Sequence, residues 1–148
     1  MRNLAACISL LMIMGCQPII ENDAIPIYNQ LPEHKRLALV PDDFRNQLID
    51  KKIIAFNQID SIQKAEGVTF SEEEFHTRVR ELGVQYIIVS SSMIEDGCKY
   101  FPWITNKNFK VCPGDPDRRY ERYYTLLVWD NTTESYHFFR FLYPTVHD

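Results

Sequence analysis

Residues 70–90 constrain the fold more tightly than any other stretch of this chain. Ser71-Glu72-Glu73-Glu74 reads as a capping box, with Ser71 as N-cap and Glu74 at N3, each side chain taking the other's backbone donor. Phe70 before the cap and Phe75 beyond it match a hydrophobic staple. Three acids in the first turn favour the positive end of the helix dipole. Phe75, Val79 and Leu82 recur at i, i+4 and i+7 and predict a buried stripe. Gly83 supplies the left-handed residue that ends the helix. Val84-Gln85-Tyr86-Ile87-Ile88-Val89-Ser90 follows at once and reads as a central strand.

The flanking elements fit around this unit. Residues 36–40 (Arg-Leu-Ala-Leu-Val) form an apolar run stopped by Pro41, which suits a buried strand. Pro41-Asp42-Asp43 then starts a helix with Phe44 and Leu48 on one face. Residues 51–57 carry Ile53, Ile54 and Phe56 and predict a second strand, although one helix through Ile49, Ile53, Phe56 and Ile59 also has the spacing. Strand followed by a short helix, residues 58–66 closed by Gly67, is the preferred reading. Asp96-Gly97 marks a turn, residues 109–112 a short strand, and Pro113-Gly114-Asp115-Pro116 a loop. Residues 119–129 and 135–143 form a hairpin around Asp130-Asn131-Thr132-Thr133. Leu126, Leu127, Val128 and Trp129, like Phe138, Phe139, Phe141 and Leu142, fall on both strand faces, which predicts a sheet covered on both sides. The fold class expected is α/β (α+β): a small single-domain sheet with helices packed on it and a C-terminal antiparallel hairpin.

The amino-terminal residues set the compartment. Arg2 is a positive start, residues 4–14 are apolar except for Ser9, and Gly15 is followed by Cys16. Charge, short apolar run and small residue make an export signal. The run is too short to span a bilayer, which takes about 20 residues. A cysteine directly after the small residue resembles the signal of bacterial lipoproteins, although Ile13 and Met14 stand where Leu and Ala or Ser are commonest. A plain secretory signal, leaving Cys16 without a special role, is the alternative. The resemblance implies cleavage before Cys16, lipid (palmitate-type acyl chains) attached at Cys16, and a membrane-anchored protein. Gln17, in place of Asp, implies the periplasmic side of the outer membrane. The domain organisation expected is residues 1–15 as signal peptide, 16–34 as acylated N-terminus and tether, and 35–148 as the globular domain. Pro18, Pro26 and Pro32 make the tether a semi-rigid spacer reaching on the order of 50 Å at ~3.1 Å per residue. Ile19, Ile20, Ile25, Ile27 and Tyr28 temper that picture, since apolar residues there are suited to dock on the domain.

Cysteine use agrees with export. Cys7 lies in the signal and Cys16 takes the lipid, leaving Cys98 and Cys112 as an even pair. In an oxidising compartment they are expected to form a disulfide, closing a loop worth ~3 kcal/mol in the chain-entropy model. A redox or metal site is the alternative, but there is no CxxC and no flanking histidine.

Composition and motifs exclude several functions. The formal net charge is −4 and grows more negative when Arg2 is removed, which argues against binding nucleic acid or anionic lipid. His34, His76, His137 and His147 have no metal-ligand spacing. Ser90-Ser91-Ser92 lacks a nucleophile-elbow pattern. With 5 glycines in 148 residues and no Walker or GxGxxG motif, phosphate-cradling loops are not expected. No catalytic residue, metal or cofactor is therefore assigned, and the chain reads as a non-enzyme.

The binding candidate is Asp117-Arg118-Arg119-Tyr120-Glu121-Arg122-Tyr123-Tyr124. On a strand, Arg118, Tyr120, Arg122 and Tyr124 share one face, and Arg and Tyr are the residue types of interface hot spots. Arg140 lies across the hairpin. Trp103, beside Tyr100, Phe101 and Pro102, adds an aromatic loop as a second surface. The alternative is that the arginines lie over tyrosine rings on a solvated face and the aromatics fill the core.

The order of elements is similar to that of the small α/β domain of outer-membrane-associated proteins of the CsgG, LpoB and TolB N-terminal type. Residues 36–41, the stretch Glu81-Leu82-Gly83-Val84-Gln85-Tyr86-Ile87-Ile88-Val89-Ser90, and the hairpin around Asp130-Asn131-Thr132-Thr133-Glu134 carry the likeness. It covers roughly residues 35–143, with Ser90-Ser91 where Gly-Ser is usual and with residues 98–112 as an atypical insert. The resemblance implies a lipoprotein that binds an envelope protein in assembly, secretion or cell-wall regulation, and it is compatible with a homo-oligomer. An immunity or inhibitor lipoprotein neutralising a periplasm-acting toxin is the other class that small size, disulfide and acidic charge fit.

Overall fold

The computed structural model describes residues 23–112 and 122–144. In chain order these hold α1 (Ala24–Tyr28), β1 (Leu37–Val40), a 3-10 turn (Asp42–Gln47), β2 (Ile53–Ala55), α2 (Phe56–Glu66), α3 (Glu72–Glu81), β3 (Val84–Ser90), α4 (Ser91–Glu95), β4 (Tyr124–Asp130) and β5 (Ser135–Leu142). The strands form one mixed sheet in the order β2-β1-β3-β4-β5. β1 pairs in parallel with β2 and β3, while β3–β4 and β4–β5 are antiparallel. The expected α+β architecture with a C-terminal hairpin is what forms.

Local chemistry explains the elements. The Ser71 hydroxyl accepts from the Glu74 N–H (3.2 Å) and the Glu74 carboxylate accepts from the Ser71 N–H (2.8 Å), so the capping box closes in both directions. Gly67 (φ 68°) and Gly83 (φ 88°) adopt the left-handed conformation after α2 and α3. The buried stripe stops earlier than the spacing predicts. Phe75 and Val79 are fully buried, but Leu82 is 46% exposed. Its N–H is shared between the Arg78 and Val79 carbonyls, a tightened last turn that swings Leu82 off the stripe.

The sheet separates two cores. On one face Leu39, Ile87, Val89 and Leu127 pack under Phe56 and Ile59 of α2 and Phe75 and Val79 of α3, with Phe101, Ile104 and Phe109 of the loop that follows α4. On the other, Ala38, Val40, Tyr86, Ile88, Tyr124, Leu126 and Leu142 pack under Phe44, Leu48 and the segment Ala24, Ile27, Tyr28 and Leu31. Two bulges keep the strands in phase with these faces. The β1–β3 register jumps from Leu37↔Val84 to Ala38↔Tyr86, leaving Gln85 as the extra residue. The β4–β5 register jumps from Leu126↔Arg140 to Leu127↔Phe138, leaving Phe139 unpaired and 52% exposed.

Several expectations are corrected. Residues 23–34 are not a spacer: Ala24, Ile27, Tyr28 and Leu31 are core residues, so the domain begins before residue 35. The proline-containing composition is compatible with this because the helix is short and the prolines fall at its first turn and beyond it. The helix expected after Pro41 is only a 3-10 turn. Residues 109–112 make no strand; Phe109 instead turns inward against Trp103, ring centroids 5.9 Å apart. β5 is covered less than expected because it is a sheet edge. Cys98 and Cys112 are separate thiols, not the expected disulfide. Cys112 Sγ lies 3.0 Å from the Tyr143 hydroxyl, and burial pushes the Cys98 thiol up. The signal residues and Cys16 lie outside the described residues.

Candidate partner-binding surface

Arg122 and Tyr124, chosen from sequence as partner-binding residues, act within the molecule. Arg122 Nε and Nη2 donate to Asp23 Oδ2 (2.7 Å) and Oδ1 (2.9 Å), and the Tyr124 hydroxyl donates to Asp23 Oδ2 (2.6 Å). Asp23 is 4% exposed. Burial alone would raise its pKa, but the hydrogen bonds from Arg122 and Tyr124, with the guanidinium charge, outweigh it and hold the carboxyl below the ordinary value of 3.8. Tyr124 is buried, and burial together with the Asp23 charge pushes its phenol well above the usual range. It presents nothing to a partner.

Arg140 fastens the other end of the same segment. Its Nη2 donates to the Gln30 carbonyl at 2.7 Å, while the Gln30 side-chain amide donates to the Tyr143 carbonyl at 2.7 Å. Trp103 is half-buried between Phe75 (5.0 Å, edge-on) and Phe109. Arg122, Tyr124 and Arg140 thus clamp residues 23–31 onto the sheet, and Trp103 completes the opposite core. Arg118 and Tyr120 lie outside the described residues. The reading in which aromatics fill the core holds for Tyr124 and Trp103. What sequence reasoning missed is the buried carboxylate of Asp23, whose only signal was an acid preceding apolar residues in a stretch rich in proline.

An open groove of about 810 Å³ lies between the outer face of α3 and the β4–β5 hairpin. Glu72, Glu73, His76, Thr77, Arg80 and Glu81 line it from the helix, with Trp129, Glu134 and Ser135 from the hairpin. The capping box sets the helix face: with Phe75 and Val79 turned inward, Glu73, His76, Thr77 and Arg80 turn toward the groove. Arg80 lies over the Trp129 ring, 4.4 Å from its centroid. Glu134 adopts φ 54°, a left-handed conformation costly for a residue with a Cβ, at the end of the turn. Four glutamates against one arginine give the groove a negative potential.

His76 forms the inner wall. Its ring lies 5.2 Å from Tyr136 and 5.8 Å from Trp103, and its Nε2 is buried without a hydrogen-bond partner. Burial, with a smaller contribution from nearby His137, lowers its pKa to about 4. With its pKa lowered to about 4 the imidazole is neutral at ordinary pH, and its Nε2 is closed to solvent.

A second crevice of about 380 Å³ opens at the carboxyl ends of β1 and β3. Asp42, Asp43, Ser90, Ser92, Cys98 and Lys99 contribute to it. Asp42 Oδ1 is taken by the Asn57 N–H at the start of α2 (2.8 Å), and the Ser90 and Ser92 hydroxyls bond each other at 3.0 Å. Burial raises the Asp43 pKa. Among the described residues no group of three or more His, Cys, Asp or Glu side chains is placed to hold a metal ion.

Comparisons with protein-family models, with curated proteins and with solved structures found no match to this chain.

Proposed function

We propose that this protein is a lipid-anchored bacterial lipoprotein on the periplasmic side of the outer membrane, and that it acts by protein–protein contact in envelope assembly, secretion or cell-wall regulation. It has no chemistry of its own in this reading. The observation that carries it is the pattern of residues 1–16, a charged start, a short apolar run, Gly15 and Cys16. Anchoring by lipid suits a chain whose described residues hold no helix long and apolar enough to cross a membrane. Two or more acyl chains give stable attachment, where one gives marginal binding. The groove beside α3 supports a binding role: it joins an exposed rim of charge to the Trp129 ring.

A second reading, an inhibitor of a periplasm-acting toxin, draws on the same groove. Glu72, Glu73, Glu81 and Glu134 suit a cationic partner. Crosslinking pull-down from the native envelope, wild type beside Cys16→Ala, separates the two. A synthase, channel or secretion component captured by the wild type and lost in the variant supports the assembly role. A single secreted toxin, bound with or without the lipid, overturns it in favour of inhibition.

A further inference from the structure

The crevice at the carboxyl ends of β1 and β3 follows from where the chain goes next. β1 and β3 are parallel neighbours. After β1 the chain turns onto one face of the sheet, where Phe44 and Leu48 are buried with Ile27 and Tyr28 of α1. After β3 it turns onto the other face, where Ile94 of α4 and Phe101 of the following loop pack. Connections that leave neighbouring parallel strands toward opposite faces open a crevice outside their carboxyl ends, the place where α/β sheets hold ligands. The crevice here measures about 380 Å³, within the range of small-molecule sites.

Its walls carry opposite charge. Asp42 and Asp43 come from the segment after β1, and Lys99 from the segment after α4. Among the described residues neither Asp43 nor Lys99 forms an ion pair, so the opposite charges share the crevice without meeting. Burial raises the Asp43 pKa, and the nearby charges of Asp23 and Asp42 add to the rise. The Ser90 and Ser92 hydroxyls, 3.0 Å apart, share one hydrogen between them, which leaves the second free to donate. Pro41, Phe56 and Met93 supply an apolar lining.

We propose that this crevice binds a small zwitterion with an apolar side chain, an α-amino acid or dipeptide, its ammonium on Asp42 and Asp43 and its carboxylate on Lys99 and the serine pair. An ammonium gives Asp43 the counter-charge it lacks, and a carboxylate does the same for Lys99. A bare cation would satisfy the acids and repel the lysine. The site goes beyond the groove beside α3 and stands apart from it. Ser90 pairs with Tyr124 at one end of β4, while Ser135 of the groove pairs with Asp130 at the other.

The test is titration of the full chain in detergent micelles with leucine, followed by backbone amide shifts. Saturable shifts at Ser92, Gly97 and Lys99, with a Kd below about 1 mM, are expected. N-acetyl-leucine, which lacks the ammonium, and leucinamide, which lacks the carboxylate, should each bind about tenfold more weakly or worse. Asp43→Asn and Lys99→Gln should weaken leucine to the same degree. Both residues are exposed, and Asp43→Asn removes a charge that burial disfavours, so neither variant should lower the unfolding midpoint. The two analogues act on the wild-type chain and decide the matter should a variant fail to fold. Either analogue binding as tightly as leucine overturns the zwitterion. No saturable shift at these amides with leucine or leucyl-leucine, or shifts confined to Arg80 and Glu134 of the groove, overturns the site.

Discussion

Asp23 and Arg122, 99 positions apart, form a two-pronged ion pair at 2.7 and 2.9 Å, with the acid buried and the base half exposed. The pair closes the N-terminal segment over one face of the sheet. It joins the residue before α1 to the residues that lead into β4, and Tyr124 adds a third bond from within the core.

Breaking this clasp should destabilise the domain. Removing one partner of a fully buried pair costs about 3–5 kcal/mol. Arg122 is 48% exposed, so solvent screening reduces the expected loss for Arg122→Ala to about 1–3 kcal/mol. Denaturant midpoints measure it. The contribution of Asp23 is complete above the ordinary carboxylate value of 3.8 and is lost as pH falls through its depressed folded value. The variant should therefore lose less stability than wild type on acidification below pH 4.

His76 should set a different acid limb. Its folded pKa is about 4 against 6.5 in a free chain, so the unfolded state binds a proton that the folded state refuses. Stability should be undiminished above pH 6.5 and fall as pH drops toward 4, by on the order of 2–3 kcal/mol. His76→Phe keeps a ring against Trp103 and Tyr136 and removes the proton site. Urea unfolding at pH 7.5 and 4.5 should show a smaller difference in this variant than in wild type.

Gln63 should tolerate no apolar replacement. Buried, it donates to Asp60 Oδ1 (3.0 Å) and the Tyr100 carbonyl (3.2 Å) and accepts from the Phe70 N–H (2.7 Å). Gln63→Leu orphans the Phe70 donor and the Tyr100 carbonyl bond, at a cost of about 1–3 kcal/mol. The loop after α4 and the entry to α3 share this residue. Hydrogen exchange at Phe70 should accelerate with the loss in thermal midpoint.

Charge reversal at the groove should separate binding from folding. Glu81 and Glu134 are exposed and line the groove; Glu81 sits at the last turn of α3, where a cation suits the helix dipole, and surface substitutions of this kind change stability by about 0.5 kcal/mol or less. The pair Glu81→Lys and Glu134→Lys should leave the unfolding midpoint close to wild type and weaken capture of a cationic partner. Unchanged capture would move the partner's footprint elsewhere.

Much of the α/β unit was legible because its signals are local. The capping box, the staple pair Phe70 and Phe75, Gly67 and Gly83, and the apolar run of β3 each act within a few residues. Each is found where the spacing puts it. The candidate site was less legible. Arg122, Tyr124 and Arg140 were correctly singled out as unusual, but their partners are Asp23 and the Gln30 carbonyl, about a hundred positions away. The disulfide expectation rested on counting cysteines, and counting carries no geometry. The groove gave no sequence signal because its walls come from α3 and the hairpin, and its glutamates look like any solvated helix face.

The sequence by itself determined β1, α3, β3 and the C-terminal hairpin, and where α2 and α3 stop, because capping, chirality and hydrophobic period are settled between near neighbours. Only the tertiary structure decided that Ala24, Ile27, Tyr28 and Leu31 belong to the core and that Arg122 and Tyr124 hold their segment through Asp23. A buried carboxylate needs an opposite charge and hydrogen-bond donors, and Asp23 takes both from Arg122 and Tyr124. That convergence exists only after the sheet has brought the two ends of the chain together.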